Sequence, residues 1–231
     1  MKHCFFHQIS ARVILATYKY LLLLAGYRIV NAKESWQRDA AYKIRKQVYV
    51  KSGYLNPRIK TNQFKDIFDQ ESVVWLSLWH SEPVGTLRAT PLRDYNATIF
   101  VYVEDAKNQL YPFIENSAEI GRFAIIQEHR GGILSMSLLI TSYVWALREG
   151  YEFLIWGGPH SIYYWLTEFI PGTQFYPAKA QHTMYKELGG YLRKHQEIGF
   201  YIVPLCKVRL ANLIRYMFSK WSLFRATSKK H

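Results

Sequence analysis

Acidic residues are absent from both ends of this 231-residue chain. Residues 1–33 contain five Lys and Arg residues but no Asp or Glu, and residues 207–231 contain seven basic residues and again no acid. All 17 acidic residues lie between these ends, so the middle is nearly neutral although the chain carries a net charge of +13. Nucleic-acid binders more often have a basic patch on the folded domain, so we expect no nucleic acid partner. Basic ends rich in Leu, Trp and Phe are typical of attachment to an anionic membrane surface.

Cysteine is also scarce. Cys4 and Cys206 are too few for a disulfide framework or a metal-ligand cluster. We therefore expect no metal site. The low count is typical of a reducing compartment, and together with the basic ends it indicates a cytoplasmic protein peripheral to the inner membrane face.

Long apolar runs are missing as well. The most apolar stretch, residues 13–26, is interrupted by Lys19 and is shorter than the roughly 20 apolar residues that a membrane-spanning helix needs. No small-residue cleavage site follows it cleanly, which disfavours a signal peptide. We interpret the stretch as a helix that either packs on the domain or lies in a membrane interface.

Charge and pattern divide the chain into three parts. Residues 1–33 are predicted to form a basic, apolar N-terminal helix, residues 34–206 a globular domain and residues 207–231 a basic amphipathic helix. The apolar residues of the last part recur at the helical period. They are Leu210, Leu213, Ile214, Met217, Phe218, Trp221 and Phe224. This helix either docks on the domain through its apolar stripe or lies in the membrane interface.

Hydrophobic periodicity within the domain alternates between helix and strand patterns. Residues 35–53 and 133–148 have the helical period, and Val73–Trp79 with Val84–Thr90 have a hairpin pattern. Shorter extended segments are expected at 98–103, 117–125, 153–156, 175–178 and 199–203, a helix at 162–169, and a helix or loop at 186–195. This order predicts an α+β fold around a largely antiparallel central sheet.

The stretch 117–125 carries an acid and a base inside an apolar run. Glu119 and Arg122 lie three residues apart, with a glycine between them. Alternation predicts that Glu119 and Phe123 share one face of the strand. The polar turn 129–132 and a long helix follow. A strand, a glycine turn and a helix N-terminus together can hold phosphate, because the turn offers backbone N–H groups and the helix end a partial positive charge.

Several short motifs follow one another in a fixed order. They are Arg45 with Tyr49, Asp66 with Asp69, Arg88 in Gly-Thr-Leu-Arg, and Glu119-Ile-Gly-Arg-Phe123. In this order they resemble the GNAT-like acyltransferases, in the branch of acyl-homoserine-lactone (autoinducer) synthases and N-acyl amino acid synthases. The resemblance covers about residues 45–161. It implies a GNAT-like fold, in which the central strands splay apart and helices flank the sheet.

Two departures separate this chain from the autoinducer synthases. Those enzymes have a Trp a few residues after the aromatic, in the part that holds S-adenosylmethionine, whereas residues 50–57 contain none. The Ser of their Glu-x-Ser-Arg-Phe motif is Gly121 here. Both departures disfavour S-adenosylmethionine as a substrate. The Glu-Ile-Gly-Arg form, with the Arg-Gly-Gly that follows, more closely resembles the N-acyl amino acid synthases and the enzymes that acylate ornithine.

The resemblance implies attack of an amino group on a thioester carbonyl. Glu119 would be the general base, with Arg122 beside it in the catalytic site. Backbone N–H groups of Phe123, Ala124 and Ile125 would stabilise the oxyanion. The donor substrate would be an acyl-phosphopantetheine, and no cofactor would be permanently bound.

The resemblance also implies binding residues. Arg130, Gly131 and Gly132 would hold the pantetheine phosphate. Their degenerate form of the pantetheine loop is common where acyl carrier protein, rather than acyl-CoA, is the donor and partner. The implied acceptor-binding residues are Arg45, Asp66, Asp69 and Arg88, because Arg pairs with carboxylates and Asp with amines. The implied acyl pocket consists of Tyr143, Trp145, Phe153, Ile155 and Trp156.

The sequence thus predicts an N-acyltransferase that moves a fatty acyl group to the amino group of an amino acid. An autoinducer synthase that uses S-adenosylmethionine is the alternative within the same class. A non-catalytic, peripheral membrane-binding protein is the alternative from another class. Salt bridges and core packing are ordinary structural roles for the same residues, and they are compatible with catalysis.

Overall fold

A seven-stranded sheet organises the part of the chain that the computed structural model describes, namely residues 13, 15–55, 65, 67–130, 133–195 and 197–208. Its strands are β1 (Tyr27–Asn31), β2 (Val73–Trp79), β3 (Glu82–Pro91), β4 (Ser117–Ile125), β5 (Phe153–Pro159), β6 (Gln174–Pro177) and β7 (Ile198–Pro204). They lie in the order β1-β2-β3-β4-β5-β7-β6. Only β4 and β5 among these neighbours are parallel. The predicted α+β fold around a largely antiparallel sheet is confirmed.

Helices cover both faces of this sheet. The α-helices of the described residues are α1 (residues 15–24), α2 (Ser35–Lys51), α3 (Ile99–Tyr102), α4 (Ala106–Leu110), α5 (Ile133–Arg148), α6 (Tyr163–Phe169) and α7 (His182–Lys194). None of them is both long and apolar enough to cross a bilayer. Residues from 209 on, which hold most of the predicted C-terminal helix, lie outside the described residues, as do Asp66, Gly131 and Gly132.

One face of the sheet packs on α5 and α1. The buried residues of α5 form the largest core cluster with β2, β3 and β4 residues such as Trp75, Leu87 and Ile120. Tyr18 and Leu22 of α1 belong to the same cluster. Because α5 is apolar on nearly all sides, it is a central, buried helix.

The opposite face has two smaller clusters. Ala41, Ile44 and Val48 of α2 pack on apolar side chains of β2. Residues of α3 and α4 pack on Ile155 of β5 and on Phe200 of β7. The sheet therefore has one helical layer on each face.

Two elements differ from the sequence-based expectation. Residues 98–103 were expected to be extended, because Ile99 and Val103 are β-branched, but 99–102 form α3. Burial explains the difference, since Ile99 and Phe100 of α3 and Val103 directly after it all enter the core. The edge strand β1 was not expected at all. It pairs along its whole length with β2.

Candidate active site

The parallel strands β4 and β5 separate near the middle of the sheet. Their pairing begins at Ser117 and Phe153 and ends at Ile120 and Trp156. Beyond this point β4 continues beside β3, and β5 continues beside β7. The diverging strands leave a gap between them, and this gap organises the site.

β4 contains a bulge where the gap begins. One residue of β3, Leu87, lies opposite two residues of β4, Arg122 and Phe123. Arg122 has the left-handed backbone conformation with φ 54°, which costs a non-glycine residue on the order of 1–2 kcal/mol. A bulge takes a residue out of the hydrogen-bonded ladder and re-aims its neighbours. It therefore makes backbone amides at Arg122 and Phe123 candidates for binding a ligand oxygen.

The bulge also changes which side chains share a face. Phe123 was expected on the face of Glu119. Instead, Phe123 and Ile125 pack with the α5 cluster, as Ile120 does before the bulge, while Ala124 packs beside α2. The extra residue shifts the alternation by one position, so that expectation is wrong. The oxyanion role of Phe123, Ala124 and Ile125 stays a prediction.

A cavity of about 500 Å³ occupies the gap between β4 and β5. Its lining changes character from one side of the sheet to the other. The lining includes charged side chains (Arg88, Glu119, Arg122), apolar side chains (Met136, Leu139, Trp156) and tyrosines (Tyr49, Tyr54, Tyr102, Tyr191). One cavity thus contains both charged side chains and an apolar surface.

Glu119 forms part of the charged wall. The residue is only 6% exposed. Its Oε2 atom accepts a hydrogen bond from the Thr98 amide at 2.8 Å and lies 3.9 Å from Arg88 Nη2. The Arg88 guanidinium also donates to the Thr98 hydroxyl. Glu119 is thus a fixed, largely buried carboxylate at the cavity wall, and its role as general base stays a prediction.

Behind Arg88, two further charged residues are sealed in the core. Arg45 Nη1 donates to both carboxylate oxygens of Asp69, at 3.0 and 3.2 Å, and Arg88 Nη1 donates to Asp69 Oδ1 at 3.4 Å. Burial lowers the pKa of the Arg45 guanidinium, and the charge of Asp69 opposes this effect. Arg45 and Asp69 are fully buried and do not line the cavity. Of the four predicted acceptor residues, the structure brings only Arg88 to the cavity wall, and Asp66 lies outside the described residues.

Arg122 reaches the same cavity from the bulge. Its Nη2 atom donates to the Tyr102 hydroxyl at 3.1 Å, and its guanidinium carbon lies 5.5 Å from the centre of the Tyr102 ring. Ring and hydroxyl together orient the guanidinium. Arg122 is therefore a positioned cation close to Glu119 in sequence and in the lining.

Tyrosines from distant segments complete the lining. Tyr54 follows α2, and Tyr191 belongs to α7; their ring centres lie 5.0 Å apart. Burial raises the pKa values of Tyr49 and Tyr191, so their hydroxyls stay protonated and can donate hydrogen bonds. Sequence reasoning missed Tyr54, Tyr102 and Tyr191. No local pattern distinguishes them among the 18 tyrosines of the chain.

A second, smaller cavity of about 80 Å³ lies on the α5 side of the gap. It shares Ile120, Met136, Leu139 and Trp156 with the first cavity. The rest of its lining is almost entirely apolar and includes Tyr143, Leu166, Val203 and Val208. The shared side chains place the two cavities next to each other.

Three residues of the predicted acyl pocket lie elsewhere. Trp156 lines both cavities and Tyr143 the second, but Trp145, Phe153 and Ile155 line neither. Phe153 and Ile155 alternate with Trp156 along β5, so they point to the opposite face and pack near α4. Trp145 packs on Trp75 instead. The predicted acyl pocket thus combined residues from both faces of β5, and only Trp156 lies on the face of the cavities.

Arg130 follows β4, directly before α5. Its side chain is exposed. Its Nε atom donates to the Ile125 carbonyl at 2.8 Å, and Nη2 lies 3.5 Å from Ser52 Oγ. Arg130 therefore ties the end of β4 to the turn after α2. Gly131 and Gly132 lie outside the described residues, and the phosphate-binding role of all three stays a prediction.

Parallel strands that splay beside a bulge, with a helix following the bulged strand, are the features expected of a GNAT-like acyltransferase. Residues 44–140 match the acetyltransferase (GNAT) domain. Residues 44–140 therefore carry a GNAT acetyltransferase domain, which supports an acyltransferase as the enzyme class, and the described sheet has the GNAT fold. A comparison with curated protein sequences found no significant match.

Several solved structures have a similar fold. The N-acyl amino acid synthase FeeM from uncultured soil microbes is 15% identical with a TM-score of 0.58, over 80% of this chain and 97% of FeeM. The CoA-dependent acyl-homoserine lactone synthase MesI is 15% identical with a TM-score of 0.57, over 83% of this chain and 94% of MesI. BjaI, another such synthase, solved with SAM and isopentyl-CoA, is 14% identical with a TM-score of 0.59, over 84% of this chain and 89% of BjaI.

Proposed function

We propose that this protein transfers a fatty acyl group from acyl carrier protein, or from acyl-CoA, to the amino group of an amino acid. One observation carries the proposal. The cavity between β4 and β5 has a wall that contains Glu119, Arg88 and Arg122, and its apolar side chains also line the smaller cavity beside α5. A thioester at the junction would have its acyl chain on the apolar side and a zwitterionic acceptor on the charged side.

In the proposed reaction, the acceptor nitrogen attacks the thioester carbonyl. Glu119 takes the proton that the ammonium loses. The oxyanion of the tetrahedral intermediate is stabilised by backbone amides at the bulge, for which Phe123 is the first candidate. The C–S bond then breaks, and the sulfur leaves as the pantetheine thiol with the second proton that the nitrogen loses as the amide forms. The products are an N-acyl amino acid and the donor with a free pantetheine thiol.

The acceptor carboxylate is assigned to the arginines of the cavity wall. Arg88 and Arg122 line the cavity, and a guanidinium matches a carboxylate bidentately. Arg45 and Asp69 support this role from behind, because Asp69 binds both Arg45 and Arg88. Asp66 remains a proposed partner for the acceptor amine.

Two donors are proposed, in a stated order of preference. Carrier proteins are acidic, so basic residues such as Arg130 offer a complementary surface. Arg130, with Gly131 and Gly132, is proposed to hold the pantetheine phosphate in front of α5. Two similar structures are described as CoA-dependent, so acyl-CoA is kept as the second donor.

The amphiphilic product supports a peripheral location at the inner membrane face. The acid-free basic ends of the chain support the same location, because they are attracted to anionic lipid.

An acyl-homoserine-lactone synthase is the second candidate. The similarity to MesI and BjaI favours it, because their TM-scores are close to that of FeeM. Two sequence features disfavour S-adenosylmethionine as the acceptor, namely the missing Trp after Tyr49 and the glycine at position 121.

The deciding experiment is a product analysis by mass spectrometry. The protein is incubated with palmitoyl carrier protein or palmitoyl-CoA and a mixture of amino acids, with and without S-adenosylmethionine. We expect N-acyl amino acids that do not depend on S-adenosylmethionine. A lactone formed only when S-adenosylmethionine is present would establish the acyl-homoserine-lactone synthase. The absence of any acylated amine would refute the proposed acyl transfer.

A further inference from the structure

Helix α1 has apolar residues on two opposite sides. Tyr18 and Leu22 are 0% and 2% exposed and lie in the largest core cluster, so this helix is fixed to the domain. On the other side, Val13, just before α1, is 61% exposed, and Tyr20 and Leu24 are 63% and 60% exposed. A surface helix that already buries one side normally presents polar residues on the other.

The exposed residues form one outward stripe. Val13, Tyr20 and Leu24 follow one another at spacings of seven and four residues, which places them on one side of a helix. Leu23, at 67% exposure, lies beside them. Thr17 falls within the stripe, and its hydroxyl donates to the Val13 carbonyl at 3.0 Å. The Thr17 hydroxyl is thus satisfied by the helix backbone, and the surface between the larger side chains of the stripe stays apolar.

The segment that carries the stripe is basic. Lys19 and Arg28 are both exposed, and residues 1–33 contain no acid. Exposed apolar patches of this kind mark interaction sites. Tyr20 suits a boundary between an apolar and a wet phase, because its ring is apolar and its hydroxyl polar.

We propose that this outer stripe of Val13, Tyr20, Leu23 and Leu24 docks on an anionic lipid bilayer. The helix lies in the plane of the interface, with Lys19 and Arg28 near lipid phosphates. Because Tyr18 and Leu22 hold α1 on the core, only the outer side chains enter the lipid. The inference deepens the proposed membrane location and rests on it, but it does not require the proposed acyl transfer.

Charge favours lipid over the other occupants of this surface. A second copy of the chain would bring together two segments 1–33 that each contain five basic residues and no acid. The segment 207–231 of the same chain has seven basic residues and no acid, so it would also meet like charge on α1. Like charges repel most strongly where water is excluded. An anionic bilayer complements both ends of the chain at once.

Co-sedimentation of the full chain with vesicles tests the docking surface. The vesicles contain phosphatidylcholine alone or phosphatidylcholine with phosphatidylglycerol, and no donor or acceptor is present. We expect binding to the anionic vesicles that weakens as salt is added. The double variant Tyr20→Ser/Leu24→Ser should partition about tenfold less, because two apolar side chains no longer enter the lipid.

Two further variants make the result specific. Tyr111 and Tyr164 belong to other elements of the fold and are 72% and 76% exposed, so Tyr111→Ser/Tyr164→Ser should bind as the unmodified chain does. Lys19→Glu, which leaves the stripe intact, should reduce binding to anionic vesicles only. Equal binding of the stripe variant and the unmodified chain would overturn the proposal, as would equal binding to both vesicle types. A dimer in analytical ultracentrifugation that the stripe variant abolishes would instead assign the surface to a second copy. The outcome is independent of catalysis, since a chain that binds vesicles but yields no product refutes only the proposed activity.

Discussion

A chain of contacts between charged side chains runs from the cavity wall into the core. Glu119 contacts Arg88, Arg88 contacts Asp69, and Asp69 contacts Arg45. Such a buried chain is stable only while its charges are matched, because an uncompensated buried charge costs several kcal/mol. Substitutions along it should therefore separate residues that meet the substrate from residues that support them.

Glu119→Gln tests the base. The amide keeps the size of the side chain but accepts no proton, so we expect kcat to fall by about 10²–10⁴-fold. Steady-state kinetics with either donor measures this, and circular dichroism checks the fold. The exposed Glu128→Gln is the matched control. A kcat within a few fold of the unmodified enzyme would exclude Glu119 as the base.

Substitution of Arg45 is expected to affect mainly stability, and substitution of Arg88 mainly acceptor binding. Arg45→Met should lower the free energy of unfolding by about 3–5 kcal/mol, because it leaves buried Asp69 with less compensation, and it should change the KM for the acceptor little. Arg88→Met should raise that KM strongly, because Arg88 lines the cavity. Urea unfolding and acceptor titrations give both quantities. A large KM effect from Arg45→Met without a loss of stability would show direct contact with the acceptor.

At the scale of elements, α7 closes one side of the cavity. Gly190 lies so close to the turn after α2 that a Cβ atom there would collide with the Gly53 carbonyl oxygen. Lys194 strengthens the contact by donating to the Ser52 carbonyl and lying 5.5 Å over the Tyr54 ring. This contact holds Tyr191 beside Tyr54.

Gly189 and Gly190 form a matched pair for testing that contact. Alanine favours a helix over glycine by about 1 kcal/mol. A Cβ at Gly189 meets only Arg193, at 3.7 Å, so Gly189→Ala should stabilise the protein. Gly190→Ala should instead cost about 1–3 kcal/mol through overpacking, and it should speed amide exchange in α7. Urea midpoints and hydrogen exchange measure these effects. Equal stabilisation by both variants would show that α7 does not depend on this contact.

At the scale of the whole molecule, the second, apolar cavity exists only because α5, α6 and three strands meet around it. Leu166→Phe should narrow it and shift the products toward shorter acyl chains, which competition between donors of different length would measure. Phe153→Leu changes the core outside both cavities, so it should alter stability without altering chain length. An unchanged product distribution in Leu166→Phe would exclude this cavity as the acyl site.

A histidine contact ties the edge of the sheet to the turn before α5. His129 Nδ1 lies 2.7 Å from the Tyr27 hydroxyl, and burial lowers the pKa of His129. The unfolded chain binds a proton near pH 6.5, while the folded protein resists it until a lower pH. The stabilisation is therefore complete above about pH 6.5 and is lost as pH falls toward the folded pKa.

Urea midpoints at several pH values test this contact. The unmodified protein should lose stability below about pH 6.5, and His129→Gln should lose less over the same range. The exposed His182→Gln serves as the control. A parallel pH dependence in all three proteins would show that His129 does not contribute.

Much of the architecture could be predicted from local patterns. The helices at 35–51 and 133–148 and the hairpin strands follow the hydrophobic period. The ordered motifs with Glu119 at their centre predicted the fold and the acyltransferase class. These features are legible because periodicity and motif order are properties of the chain itself.

The sequence by itself therefore determined the two long helices α2 and α5, the hairpin strands and the acid-free basic ends, and it singled out the central stretch around Glu119. Tertiary structure alone decided that Arg45 and Asp69 are sealed behind Arg88, that the bulge turns Phe123 to the other face, and that Tyr191 joins the cavity. The physical reason is that burial, register and the splay of β4 from β5 arise from contacts between segments far apart in the chain. No local pattern encodes those contacts.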